Sequence, residues 1–231
     1  MKRALFAAAI VATALALPPR AHADAIADCD RLAAAPDDPG RPQGVEGVRL
    51  TLIDGASAVA ACRAAVAERP AEPRLVYQLA RALSAPRGGT EAEAMAALKQ
   101  AAEAGHPAAM LYLGRILKNG LGLPLDEAAA LAWVRKAAEA GHARAMHDLG
   151  EMLLLGQGAP ADAAAAAGWF RRGAEAGDTE AMVLLGHAYL DGTGVDKDPE
   201  EARKWFQRAI DLGSARALIA IQRLDPAESP R

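Results

Sequence analysis

The heptapeptide Ala104-Gly105-His106-Pro107-Ala108-Ala109-Met110 returns 36 residues later as Ala140-Gly141-His142-Ala143-Arg144-Ala145-Met146. It returns again as Ala176-Gly177-Asp178-Thr179-Glu180-Ala181-Met182, and in weaker form as Leu212-Gly213-Ser214-Ala215-Arg216-Ala217-Leu218. Self-similarity at one fixed shift is the signature of a repeat array, in which each unit buries its apolar face against the next. The same shift relates Leu113-Gly114, Leu149-Gly150 and Leu185-Gly186, then Gly120/Gly122, Gly156/Gly158 and Gly192/Gly194, then Trp133, Trp169 and Trp205.

Within a unit, Ala109, Leu113, Gly114 and Leu117 share one face of a 3.6-residue period, which predicts a buried helix A. Gly120, Gly156 and Gly192 supply the left-handed residue that ends it. Asp198-Pro199-Glu200-Glu201 opens helix B of the third unit with a capping residue, a proline at the first helical position and Glu201 placed for a capping box. Mid-helix glycine costs about 1 kcal/mol relative to alanine. Its recurrence at 114, 150 and 186 therefore points to close packing of neighbouring helices.

These motifs resemble the Sel1-like repeat, a 36-residue relative of the tetratricopeptide repeat. The resemblance rests on the A-x-A-[ML]-x-x-[LI]-G core, the Gly-x-Gly turn, the W-[FV] pair of helix B and the A-E-A-G ending, from about Ala104 to Leu224. It implies an all-α, right-handed solenoid of stacked helix pairs. Upstream, Pro73 to Ala80 aligns with helix A at a shift of 34, in a degenerate, tetratricopeptide-like unit that lacks Gly-x-Gly and Trp. The expected organisation is a leader over 1–23, an irregular segment over 24–55, a capping helix and degenerate repeat over 56–103, three full repeats and a terminal capping helix over 104–224, and a tail over 225–231.

Lys2 and Arg3, the apolar run Ala4 to Leu17 and the Ala21-His22-Ala23 site read as a signal peptide cut after Ala23; an uncleaved anchor is the alternative. The run is shorter than the roughly 20 residues a spanning helix needs, so the mature form is expected to lack a transmembrane segment. Such a protein would be periplasmic or secreted. Lys plus Arg number 26 against 29 Asp plus Glu, a net charge of −3, which excludes the basic face that nucleic-acid binding requires. Two cysteines, Cys29 and Cys62, in an exported chain read as one disulfide tying down the Pro- and Gly-rich stretch between them.

Nucleophilic chemistry finds little support: no serine lies in Gly-x-Ser-x-Gly or Ser-x-x-Lys. No catalytic residue, cofactor or metal is assigned. A two-His, one-carboxylate group of His147, Glu151 and His187 is the alternative to a polar ladder running through Arg115, Glu151, His187 and Arg223, and the ladder is preferred because metal sites need supporting partners. His106 and His142 stand at the helix-A N-cap position, where Asp178 and Ser214 follow. Residues that vary between repeats on helix A are Tyr112, Arg115, His147, Asp148, Glu151, Leu184, His187 and Arg223. In stacked helix pairs the A helices line the concave side, so these residues are the expected contacts for a periplasmic protein or peptide partner. The resemblance thus implies a scaffold or adaptor, with an envelope-signalling role; a secreted hydrolase acting on a β-lactam or peptidoglycan is the alternative.

Overall fold

The computed structural model describes residues 24–224. Among them run eleven α-helices: α1 (Ala25–Ala33), α2 (Gly55–Glu68), α3 (Pro73–Ser84), α4 (Glu91–Glu103), α5 (Pro107–Asn119), α6 (Glu127–Glu139), α7 (Ala143–Leu155), α8 (Ala163–Glu175), α9 (Thr179–Asp191), α10 (Pro199–Asp211) and α11 (Ala215–Leu224). Helices α3/α4, α5/α6, α7/α8 and α9/α10 pack as antiparallel pairs, and each pair packs on the next through α4–α5, α6–α7, α8–α9 and α10–α11. The all-α solenoid of stacked helix pairs that the resemblance implies is the architecture found. No helix among the described residues is long and apolar enough to cross a membrane. The leader read over 1–23 and the tail over 225–231 lie outside the described residues.

The local signals act as chemistry dictates. Asp126, Asp162 and Asp198 each cap a B helix by accepting from backbone N–H groups of its first turn, satisfying donors the helix cannot. Glu201 makes no capping box; it pairs instead with Lys204 at 2.9 Å. A complete capping box stands at Thr90 and Glu93 of α4. Gly156 closes α7 at φ 70°, a conformation that an L side chain adopts only with strain.

At Gly150 the packing reason for a mid-helix glycine is visible. A Cβ built there would lie 2.5 Å from a ring carbon of Phe170 and 3.1 Å from the Ala166 carbonyl oxygen, both on α8. The aromatic ring of helix B thus occupies the space a side chain on helix A would need. Phe170 and Phe206 are core residues, whereas their neighbours Trp169 and Trp205 are half-buried under arginines, with Arg172 4.0 Å above the Trp169 ring.

The N-terminal segment differs from its reading as irregular: α1 lies inside it. Nine residues are too few to hold a helix alone. Here Asp24 accepts from the N–H groups of Ile26 and Ala27, the helix buries Cys29 and Ala33, and it packs on α2 and α3. The Cys29–Cys62 disulfide joins α1 to α2. Beyond α1 the chain runs without regular structure, apart from a 3-10 turn at Leu50–Leu52, to α2. Side chains of α3 and the N-cap of α5 tie α1 and this stretch to the solenoid: Arg74 pairs with Asp30 of α1, Arg81 donates to the carbonyls of Ala33 and Val48, and His106 lies 3.3 Å from Asp38.

Candidate functional site

Helices α5, α7 and α9 bring most of the variable residues to one face. Arg115 on α5 donates through Nε and Nη2 to the two carboxylate oxygens of Asp148 on α7, at 2.6 and 2.9 Å. Two parallel charge-assisted bonds fix both side chains across the repeat boundary. One turn before Glu151, His147 places Nε2 3.4 Å from the Glu151 carboxylate and Nδ1 3.5 Å from that of Asp178, the capping residue of α9. These contacts cross from one repeat to the next, but they run through Asp148, His147 and Asp178 rather than directly along the expected column of Arg115, Glu151, His187 and Arg223.

His147, Asp148 and Glu151 come within metal-binding distance of one another. Asp148, however, is engaged through both oxygens by a guanidinium, so its charge is already balanced and its lone pairs directed. His187, the other ligand of the metal alternative, packs edge-on against Phe206 at 5.1 Å.

The expected contacts are not equally accessible. Tyr112 is 42% exposed, and Arg115, Glu151, Leu184 and His187 are part-exposed, whereas His147 and Asp148 are buried. Those two position the face more than they present themselves to a partner. Arg223 lies on α11, its side chain outside the described part of the structure.

Burial alone would push His147 down, but the hydrogen bond to Glu151 and the charges of Asp148, Asp178 and Glu151 outweigh it and raise its pKa. The bond to His147 in turn holds Glu151 below the usual carboxylate range, against its partial burial and with help from Lys118 and Arg216. A raised histidine stabilises the fold fully below its unfolded pKa and loses that contribution as pH rises through the folded value; the lowered glutamate contributes above its unfolded pKa and is lost in acid. Glu151→Gln should therefore lower the melting temperature at pH 5.5 and become nearly neutral by pH 9. Melts of both proteins across that range check this; an undiminished gap at pH 9 would contradict the ion pair.

The N-cap reading holds for His106, whose Nδ1 accepts from Ala109 N–H, and for Asp178 and Ser214. It fails for His142, which makes no capping bond: both ring nitrogens are buried without a hydrogen-bond partner. His142 instead lines a cavity of about 130 Å³ between the A helices and the N-terminal segment, with Tyr77, Arg81, Leu111, Tyr112 and Arg115. Sequence reasoning missed Arg81 although a signal existed, since the 34-residue shift of the degenerate repeat puts Arg81 in the column of Arg115. Asp37 and Leu50, which also line the cavity, stand in a stretch with no repeat register to place them.

Of the described serines, Ser57 donates to Asp54, Ser84 donates to the Ala80 carbonyl and Ser214 caps α11. None of these bonds pairs a serine with a histidine.

The Sel1 repeat family model matches residues 107–142, 143–178 and 179–214. Among solved structures, the chain is similar to a protective antigen of uropathogenic Escherichia coli strains displaying an SLR fold, with 30% identity and a TM-score of 0.67 over 72% of this chain and 36% of that one. A Sel1 repeat protein from Oxalobacter formigenes is similar at 29% identity and a TM-score of 0.66, over 75% of this chain and 50% of that one. The chain thus spans at most half the length of these two relatives. No curated protein matches it. Family model, helix-pair stacking and solved relatives agree with the 36-residue period: residues 107–214 of this chain are three consecutive Sel1 repeats.

Proposed function

We propose that this protein is a periplasmic scaffold that binds a protein or peptide along the face formed by its A helices, with a role in envelope signalling. The observation that carries the reading is the contrast within each repeat. The core positions, such as Leu113, Leu149 and Leu185, are alike and buried, while the adjoining A-helix positions change from Tyr112 and Arg115 to Asp148 and Glu151 to Leu184 and His187, and of these all but Asp148 are at least part-exposed. A fold that only needed to stack would have no use for that variation. Tyr and Arg are also the side chains that most often dominate binding when desolvated. The disulfide between Cys29 and Cys62 supports residence in an oxidising compartment.

Photo-crosslinking from position 112 in envelope extract, followed by mass spectrometry, identifies the partner. With that partner purified, Tyr112→Ala/Arg115→Ala is expected to weaken binding at least tenfold while leaving the helical spectrum unchanged. A tenfold loss corresponds to about 1.4 kcal/mol, within the usual range for truncated central contacts. Unchanged affinity would reject this face as the binding surface.

A further inference from the structure

The two columns that Tyr112 and Arg115 head are already occupied in the degenerate repeat. At the shift of 34 residues Gln78 stands in the column of Tyr112 and Arg81 in that of Arg115. Tyr112 is 42% exposed, whereas Gln78 is fully buried and donates to Asp30 of α1 at 2.8 Å. Arg81 donates through its two terminal nitrogens to the carbonyls of Ala33 and Val48. The chain's own N-terminal segment therefore covers, on α3, the positions that α5 presents to solvent.

Between those two carbonyls the segment is an Ω-loop. Val48 N–H donates to the Ala34 carbonyl at 2.8 Å, so residues 34–48 return to their starting point, and the Arg81 guanidinium spans the two feet. Within 36–47 only Asp38 is buried. Its Oδ1 accepts from Gly40 N–H, which shapes the loop, and its Oδ2 lies 3.3 Å from His106 Nε2, neither atom having another partner. His106 is itself fixed, stacked on Tyr77 at 4.8 Å and capping α5 through Nδ1. One side chain thus latches the loop body to the A-helix face, while Arg81 holds its feet and a disulfide between two fully buried cysteines pins α1 to α2 on either side of it. A segment with so few buried contacts opens locally without unfolding its neighbours. Asp37 of the loop lines one cavity with Arg81, Tyr112 and Arg115, so the closed loop abuts the partner face.

We infer that residues 36–47 form an autoinhibitory lid: closed, they cover the α3 end of the A-helix face, and a partner extending past Tyr112 and Arg115 toward Arg81 has to lift the loop off His106. The inference rests on the A-helix face being the binding surface. Asp38 is the latch, because it is the one side chain of the loop body that the solenoid buries.

The loop itself is the probe for its seat: a labelled synthetic peptide with the sequence of residues 35–47, titrated to millimolar concentration. A full-length variant in which a short Gly-Ser linker replaces residues 36–47 keeps both feet and leaves the seat open. It should bind the peptide at least tenfold more tightly than the parent protein, whose own loop holds the seat, and a peptide carrying Asp38→Ala at least fivefold more weakly than the natural one. In the full chain, Asp38→Ala should speed amide exchange over 36–47 at least tenfold while α1 and α2 exchange as before. With a photo-crosslinker at position 112 in envelope extract, the same variant should give at least three times the parent's yield of crosslinked product. Equal peptide binding by parent and linker variant, unchanged exchange over 36–47, or loosening of α1 together with the loop would overturn the lid as a separately moving element. An unchanged crosslink yield would overturn its inhibitory role, and a lower one would show that the loop adds contacts instead of blocking them. None of these results touches the face reading, which falls only with the Tyr112→Ala/Arg115→Ala result.

Discussion

Gly150→Leu is expected to destabilise the solenoid by about 3 kcal/mol, at the upper end of the range for overpacking a filled core. A leucine gains something from better helix propensity, up to about 1 kcal/mol. The clash outweighs that gain, because the new Cβ alone would lie 2.5 Å from the Phe170 ring and 3.1 Å from a backbone oxygen of α8. The ring could turn aside only by vacating the centre of the repeat. For a chain of this size the loss corresponds to a fall in melting temperature of roughly 6 to 12 °C. Arg144→Ala, at an exposed residue six positions before Gly150 on the same helix, should cost less than about 0.5 kcal/mol. Thermal melts of the two variants beside the parent protein check both. Equal melting temperatures for the two would mean that the helix-A glycine does not face helix B.

Removing the disulfide is expected to have an effect of similar size in a different place. The bridge spans a sequence separation of 33, for which loop entropy predicts about 3 to 4 kcal/mol of stabilisation. In a stack whose units contact only their neighbours, the loss should concentrate in the N-terminal pair and fade along the array. Cys29→Ala/Cys62→Ala should therefore speed amide exchange in α1, α2 and the segment between them by two orders of magnitude or more, while α7 to α10 exchange as before. Hydrogen exchange read by mass spectrometry measures both regions at once. Unchanged protection of α1 would show that Asp30, Arg74 and Gln78 hold it unaided.

Most of the solenoid could be read from the residues, because helix caps, left-handed glycines and the apolar period act locally and repeat three times over. The Gly120, Gly156 and Gly192 stops and the Asp198 cap fall where the pattern puts them. The cysteine pairing was readable by arithmetic. What escaped is what depends on tertiary contact. Helix α1 exists because α2, α3 and a disulfide bury one side of it, information that nine residues do not carry. The partner of Gly150 was identifiable only as a neighbouring helix, and the Phe170 ring emerges from packing. His142 looked like a cap because Asp178 and Ser214, both common capping residues, stand at the same position in the next two repeats. In the structure it makes no capping bond, and both ring nitrogens are buried without a hydrogen-bond partner. His147 and Asp148, taken from the sequence as contact residues, are buried because each is consumed by a neighbour across or along the repeat.

The central claim is that the A-helix face binds the partner, and a hydrogen-exchange footprint of the complex tests it most directly. With the crosslinked partner bound, the peptides covering α5, α7 and α9 should gain protection, while those covering the B helices α6, α8 and α10 exchange as in the free protein. Protection confined to α6, α8 and α10, around the arginine-covered Trp169 and Trp205, would contradict the claim and place the partner on the opposite side of the stack.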